Sequence, residues 1–164
     1  MKRYHLLRKL TLISLLTTVV FANYIGDEVV ATKHNKHLTI SQVAEIQPGL
    51  GTIMMEFGHR FYIAYYAAKA KNWGLAKYEI KELLEAQEVV ELTRPLYTKA
   101  LKEFENKYIK NLLNAIEAKD IKRFELSFTQ TTNACNSCHK ATGHAYIYYQ
   151  LPSEAPKFLR LKLQ

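Results

Sequence analysis

Two thiols and an imidazole stand together in the run Cys135-Asn136-Ser137-Cys138-His139. Side chains three apart on a helix project from one face about one turn along. Both sulfurs can therefore meet one ligand while the adjacent histidine reaches its metal. This C-x-x-C-H spacing is the attachment signature of a c-type haem, with covalent links from Cys135 and Cys138 and His139 as axial iron ligand. Two cysteines and six histidines placed at random would give the motif in roughly one shuffled sequence in two thousand, so the signal is specific. A redox C-x-x-C pair, a structural disulfide and half of a zinc site compete with it. Zinc would want further ligands at recognisable spacing, and no third cysteine exists; no βαβ pattern accompanies the pair. The expected cofactor is one covalently attached haem c.

That chemistry requires export. Met1 to Lys9 is basic, Leu10 to Phe21 is apolar, and Val20-Phe21-Ala22 has the small-residue pattern that signal peptidase reads. About a dozen apolar residues are short for a membrane span. The sequence predicts a signal peptide over 1–22 cleaved after Ala22, a periplasmic location and no integral membrane span afterwards; an uncleaved anchor is the competing reading. Both cysteines belong to the haem motif, so no structural disulfide is expected in the oxidising compartment. The whole chain carries 23 Lys and Arg against 15 Asp and Glu, a net charge of +8; without the four basic residues of the signal, 19 against 15 remain, or +4. Such a charge does not argue for nucleic acid, but a basic face would steer an acidic redox partner protein.

The elements that must position the motif are helices, since six glycines in 164 residues leave long uninterrupted stretches. Residues 23–47 read as an extended N-terminal arm, 48–150 as one helical domain and 151–164 as a C-terminal tail. The first helix runs from Pro48, which suits a first turn, to Asn72. Its seam is Leu50, Met54, Phe57, Phe61, Ala64 and Ala68, with a second stripe of Met55, His59, Tyr62 and Tyr66. The second helix, capped by Asn72, has the seam Ala76, Ile80, Leu83, Gln87 and Val90, and Lys77, Glu79, Lys81, Glu82 and Glu85 on its other side. The third, Leu96 to Ala118, repeats the pattern through Tyr97, Leu101, Phe104, Tyr108 and Leu112. The fourth, capped by Asp120, has the seam Ile121, Phe124, Phe128, Thr131, Cys135, Cys138 and Thr142. The motif sulfurs thus point where core side chains point, and the haem is expected to form part of the core.

Short connections make the four helices antiparallel neighbours, so the predicted fold is all-α, an up-down-up-down four-helix bundle with covalent haem. The start of the first helix then lies beside the end of the fourth. Met54 and His139 each sit about two turns in from those ends, roughly 9 to 14 Å at 1.5 Å per residue. Met54 is the candidate sixth ligand, because Met55 is rotated by about 100° from the seam. The alternative is a core methionine filling space over a five-coordinate iron.

These features resemble class II c-type cytochromes, the cytochrome c-prime group. The strings Leu50-Gly51-Thr52-Ile53-Met54, Asn72-Trp73-Gly74-Leu75-Ala76-Lys77-Tyr78-Glu79 and Ala134-Cys135-Asn136-Ser137-Cys138-His139 are similar to a periplasmic subgroup over most of residues 48–152. For members with methionine near the start of the first helix, the resemblance implies a six-coordinate low-spin iron and electron transfer. Members with a smaller aliphatic residue there are five-coordinate and bind nitric oxide or carbon monoxide. It implies covalent links at Cys135 and Cys138, a proximal ligand at His139 and a distal one at Met54. Members often dimerise through the first two helices, where Tyr62 and Tyr66 offer a homodimer surface. The arm before Pro48 and the tail after Tyr149 depart from the pattern.

The remaining candidates are weaker. His34 and His37 read as solvated, and His59 and His144 lie off the ligand faces. Arg60 and Lys140 are candidate partners for haem propionates. Tyr146, Tyr148 and Tyr149 read as residues that pack or hydrogen-bond at the bundle end rather than conduct electrons, and the tail as docking on the bundle, a membrane or a partner. A peroxide-consuming enzyme would need an acid/base pair over the distal face, and Glu56, His59 and Arg60 make no convincing one; the reading is an electron carrier, not an enzyme. Removing a large apolar cofactor from a core leaves a costly void, so protein lacking both cysteines is expected to be poorly folded or repacked. The exported protein is expected to begin at Asn23; an amino-terminal mass measurement that finds residues 1–22 retained contradicts the cleavage site.

Overall fold

The computed structural model describes residues 29–31 and 37–162. The chain forms two compact units, divided between Pro48 and Gly49. The signal segment, the beginning of the arm and His34 lie outside the described residues.

In the first unit, β1 (Val29–Ala31) pairs antiparallel with β2 (His37–Thr39), Val30 opposite Leu38. A helical turn, α1 (Ile40–Glu45), comes directly after. Thr39 both ends the strand and caps the helix. Its hydroxyl accepts from the Gln42 N–H at 3.1 Å while the Gln42 side chain accepts from the Thr39 N–H at 2.9 Å, a reciprocal capping box. The arm expected to be extended therefore contains a ribbon and a helical turn. His37 is exposed on β2.

The second unit is almost wholly helical: α2 (Leu50–Lys69), α3 (Trp73–Thr93), α4 (Thr98–Phe104), α5 (Lys110–Glu117) and α6 (Ile121–Ala141). A short 3₁₀ turn at Pro95–Tyr97 precedes α4, and a π turn at Glu105–Ile109 joins α4 to α5 as one rod. Among the described residues no helix is long and apolar enough to cross a membrane.

Two of the connections use one device. After α2, Lys71 N–H reaches the Ala68 carbonyl and Asn72 N–H the Ala67 carbonyl, both at 2.9 Å; after α5, Lys119 and Asp120 bond Ile116 and Ala115, both at 3.0 Å. This pair of bonds needs one left-handed residue, supplied by Lys71 (φ 62°) and Lys119 (φ 52°). The next residue then caps the following helix: Asn72 accepts from Leu75 N–H at 3.1 Å, and Asp120 from Lys122 and Arg123 N–H at 3.0 and 3.1 Å. Each helix so joined folds back on the one before.

The expected seams of α2, α3 and α6 face the core. Phe61, Ala64 and Ala68 of α2, Ala76, Ile80, Leu83, Gln87 and Val90 of α3, and Phe124, Phe128 and Thr131 of α6 are buried. Two features of the third and second helices differ from expectation. The predicted third helix is interrupted by the π turn, whose extra residue rotates the succeeding α5, so Ile109 is buried where Tyr108 was expected. Glu79, expected on the polar side, is 3% exposed and meets Arg60 Nη1 at 3.0 Å, while Arg60 Nε meets Glu56 at 2.7 Å. Burial works against the Arg60 charge, but Glu79 and Glu56 outweigh it and hold the guanidinium protonated.

The tail docks on α2. Tyr66 and Tyr62 hydroxyls donate to the carbonyls of Pro152 and Glu154 at 2.7 and 2.8 Å, and the Asn72 amide donates to the Leu161 carbonyl at 3.1 Å. His59 stacks on Phe158 at 5.5 Å. Asn72→Ala removes a helix cap, worth about 1 kcal/mol, together with this tail anchor. A denaturant melt should show at least that loss, and an unchanged midpoint contradicts the assignment.

Candidate functional site

The level at which α2 and α6 meet is set by aromatic rings. Phe61 stacks on Phe128 with centroids 4.0 Å apart and planes 7° from parallel, and Tyr65 lies 6.3 Å from Phe124. The two helices run antiparallel at this contact. Stepping α2 back seven residues and α6 forward seven brings Met54 level with Cys135. Met54 packs against the edge of the core, whereas Met55 is 77% exposed.

Cys135 and Cys138 continue the inward face of Phe124, Phe128 and Thr131, and both are reduced. Burial pushes the Cys135 thiol up to about 12, with neighbouring Cys138 adding to the effect; burial also raises Cys138. Both lie in the last turns of α6, where the helix dipole further disfavours a thiolate. Redox-active pairs show the opposite, a lowered thiol pKa. The Cys135, Cys138 and His139 side chains do not converge on one point as zinc ligands would, and no three His, Cys, Asp or Glu gather elsewhere among the described residues.

His139 is oriented by its own backbone surroundings. Gly143 (φ 81°) ends α6 with bonds from Gly143 N–H to the Lys140 carbonyl at 3.3 Å and from His144 N–H to the His139 carbonyl at 2.7 Å. The chain then doubles back, and the Ile147 carbonyl comes to 3.1 Å from His139 Nδ1. A carbonyl oxygen only accepts, so in the neutral ring Nδ1 carries the proton and Nε2 keeps a lone pair for a metal.

The returning segment ends at Tyr149, which the sequence offered as packing or hydrogen-bonding at the bundle end. Its backbone N–H donates to Asn136 Oδ1 at 2.7 Å and its carbonyl accepts from Asn136 Nδ2 at 3.1 Å. Its ring packs 5.6 Å from Phe61 and lies over Gly58, where an added Cβ would stand 3.5 Å from it. Burial, and then Cys135, push the phenol's pKa upward. The Tyr149 hydroxyl and the Thr132 hydroxyl are buried with no hydrogen-bond partner among the described residues. Gly58, Asn136 and the Ile147 carbonyl were not singled out by the sequence; Gly143, just past the last helical residues, signals the turn that gathers them.

The other candidates stand apart. His144 Nδ1 lies 3.2 Å from the Thr142 hydroxyl. Arg60 is occupied by Glu56, Glu79 and Glu82, and Lys140 is exposed. Tyr146 and Tyr148 are exposed, unlike Tyr149.

No protein family, curated protein or solved structure matches this chain.

Because its proton is held more tightly in the folded chain, the Cys135 thiol lends stability that is complete below about pH 9.0 and declines as pH rises toward about 12. Alkylation of Cys135 should lag that of Cys138 at pH 8 and accelerate steeply across that window. Equal rates for the two thiols at pH 8 contradict the burial described.

Proposed function

We propose that this protein is a periplasmic electron-transfer c-type cytochrome, an antiparallel up-down-up-down four-helix bundle of the class II kind. In this reading Cys135 and Cys138 carry one haem c through thioether bonds, and His139 and Met54 hold its iron. The observation that carries the reading is the C-x-x-C-H run in the last turns of α6, with His139 Nδ1 committed to the Ile147 carbonyl and Met54 of α2 level with Cys135 in the register set by the Phe61 and Phe128 stack. When bound, haem supplies a reversible one-electron couple, and an axial methionine raises its potential relative to histidine alone.

The residues present suit that group. Burial raises the pKa of both thiols, most at Cys135, which protects them from stray oxidation. Nε2 of His139 is the nitrogen left for a metal. The unpartnered hydroxyls of Thr132 and Tyr149 are buried polar groups that want a partner, and they flank Cys135. The ring of Tyr149 lies over Gly58 and close to Cys135. The acid/base alternatives near Met54 are committed elsewhere, His59 to Phe158 and Arg60 to carboxylates, which supports a carrier over an enzyme. Its partners are redox proteins. A homodimer through Tyr62 and Tyr66 would have to displace the tail that now binds both hydroxyls.

A second reading is a five-coordinate haem protein that binds nitric oxide or carbon monoxide. The free Tyr149 hydroxyl beside Gly58 favours it, as a donor available to a small oxygen- or nitrogen-containing ligand. Optical spectra separate the two. The carrier reading expects a weak long-wavelength sulfur-to-iron band in oxidised protein, slow carbon monoxide binding on reduction, and loss of the band with rapid binding in Met54→Ala. Immediate carbon monoxide binding by the unaltered protein, with no such band, selects the second reading, and a spectrum unchanged by Met54→Ala excludes Met54 as ligand.

A further inference from the structure

We propose that Asn136, the first spacer of the C-x-x-C-H run, is a positioning residue for the His139 imidazole. The inference rests on the haem reading above and concerns how this chain sets the properties of that ligand. The hydrogen bond that orients His139 comes from residue 147, beyond the end of α6, so the ring is only as fixed as the segment that doubles back.

That segment has little burial to hold it. Tyr146, Ile147 and Tyr148 are 81, 46 and 73% exposed. Its near end is held by the Gly143 turn and by the Ile147 N–H bond to the His144 carbonyl at 2.8 Å. At its far end the Tyr149 ring packs on Phe61, and the backbone is fixed by Asn136, whose amide engages both backbone groups of Tyr149, accepting at 2.7 Å and donating at 3.1 Å. The amide thus acts as a strand neighbour would, one donor and one acceptor on a single residue. A carboxylate could accept but not donate, and alanine could do neither. Asn136 lies three residues before His139 on the same helix, so the amide ties the return of the chain to the turn that carries the imidazole. With the far end fixed, the Ile147 carbonyl stays on Nδ1, which fixes the ring plane and makes Nε2 more electron-donating. The Asn136 amide bonds Tyr149 and the His139 ring bonds Ile147, so Asn136 acts through residues 147–149.

The test is optical redox titration of exported, haem-loaded full-length protein with Asn136→Ala and Asn136→Asp. A less donating imidazole favours the reduced iron, so Asn136→Ala should raise the equilibrium constant for reduction about tenfold, or about 59 mV for one electron. Asn136→Asp, which keeps the acceptor for Tyr149 N–H, should shift it by less. A coloured Asn136→Ala protein with the original potential, even one that melts earlier, overturns the inference and leaves the haem reading standing. A colourless unaltered protein overturns the haem reading itself. Should neither variant retain haem, exchange of the His139 Nδ1 proton in the unaltered protein decides: slow exchange supports the tie to Ile147, and exchange as fast as a free imidazole's overturns it.

Discussion

The stacking of Phe61 on Phe128 is the contact on which the rest of the second unit depends. It joins the first and last long helices, which are the farthest apart in sequence, and it fixes their relative level. Two rings 4.0 Å apart and nearly parallel cannot slide by a residue without losing both the stack and the adjoining contacts of Tyr65 with Phe124 and Phe128. Aromatic pairs contribute about 0.5–1.5 kcal/mol beyond their burial, but here position matters more than energy. Two turns further along, the register brings the Met54 side of α2 to the Cys135 side of α6. Any ligand shared by the two helices is shared at that level.

The end of α6 then decides what the imidazole can do. A helix that simply frayed after His139 would leave the ring free to rotate in water. Gly143 instead reverses the chain, and the return brings a carbonyl to Nδ1 and a tyrosine over Gly58. The same stretch therefore orients the imidazole and packs a tyrosine ring close to Cys135, and it ends on a two-bond polar contact with Asn136. Hydroxyls buried without a partner at Thr132 and Tyr149 cost on the order of 1–3 kcal/mol each. Thr132 lies one turn before Cys135 on α6.

Much of this was legible in the sequence, for reasons that differ by element. The seams of α2, α3 and α6 keep a spacing of three and four that only a helix with one buried face requires, and their middle positions are buried while Leu50, Met54, Ile121, Cys135, Cys138 and Thr142 are partly so. Asn72 and Asp120 announced their helix starts because a side-chain cap is a local interaction. The third helix misled at Tyr108, since a π turn adds one residue without any residue type that marks it. Glu79 misled because a carboxylate reads as surface until a guanidinium from another helix is known to reach it. The ribbon and α1 in the arm rest on Thr39 and Gln42, a capping box that was readable but lay in a polar stretch without periodicity. At the site, Cys135, Cys138 and His139 announced themselves by spacing. Asn136, Gly58 and Tyr149 did not, because their roles depend on where residues 147–149 return, which no local pattern encodes. The tail was readable as amphipathic, yet its anchoring through Tyr62 and Tyr66 hydroxyls to backbone carbonyls is invisible in a sequence.

The central claim is that the two sulfurs of α6 carry a porphyrin. The most direct measurement is an intact-mass spectrum of the exported protein, taken after denaturation and reduction, alongside its visible absorption. The account predicts coloured protein whose mass exceeds that of residues 23–164 by one haem, with neither cysteine open to alkylation. Colourless protein at the bare polypeptide mass, with two alkylatable thiols after passage through a compartment with working haem attachment, would contradict it.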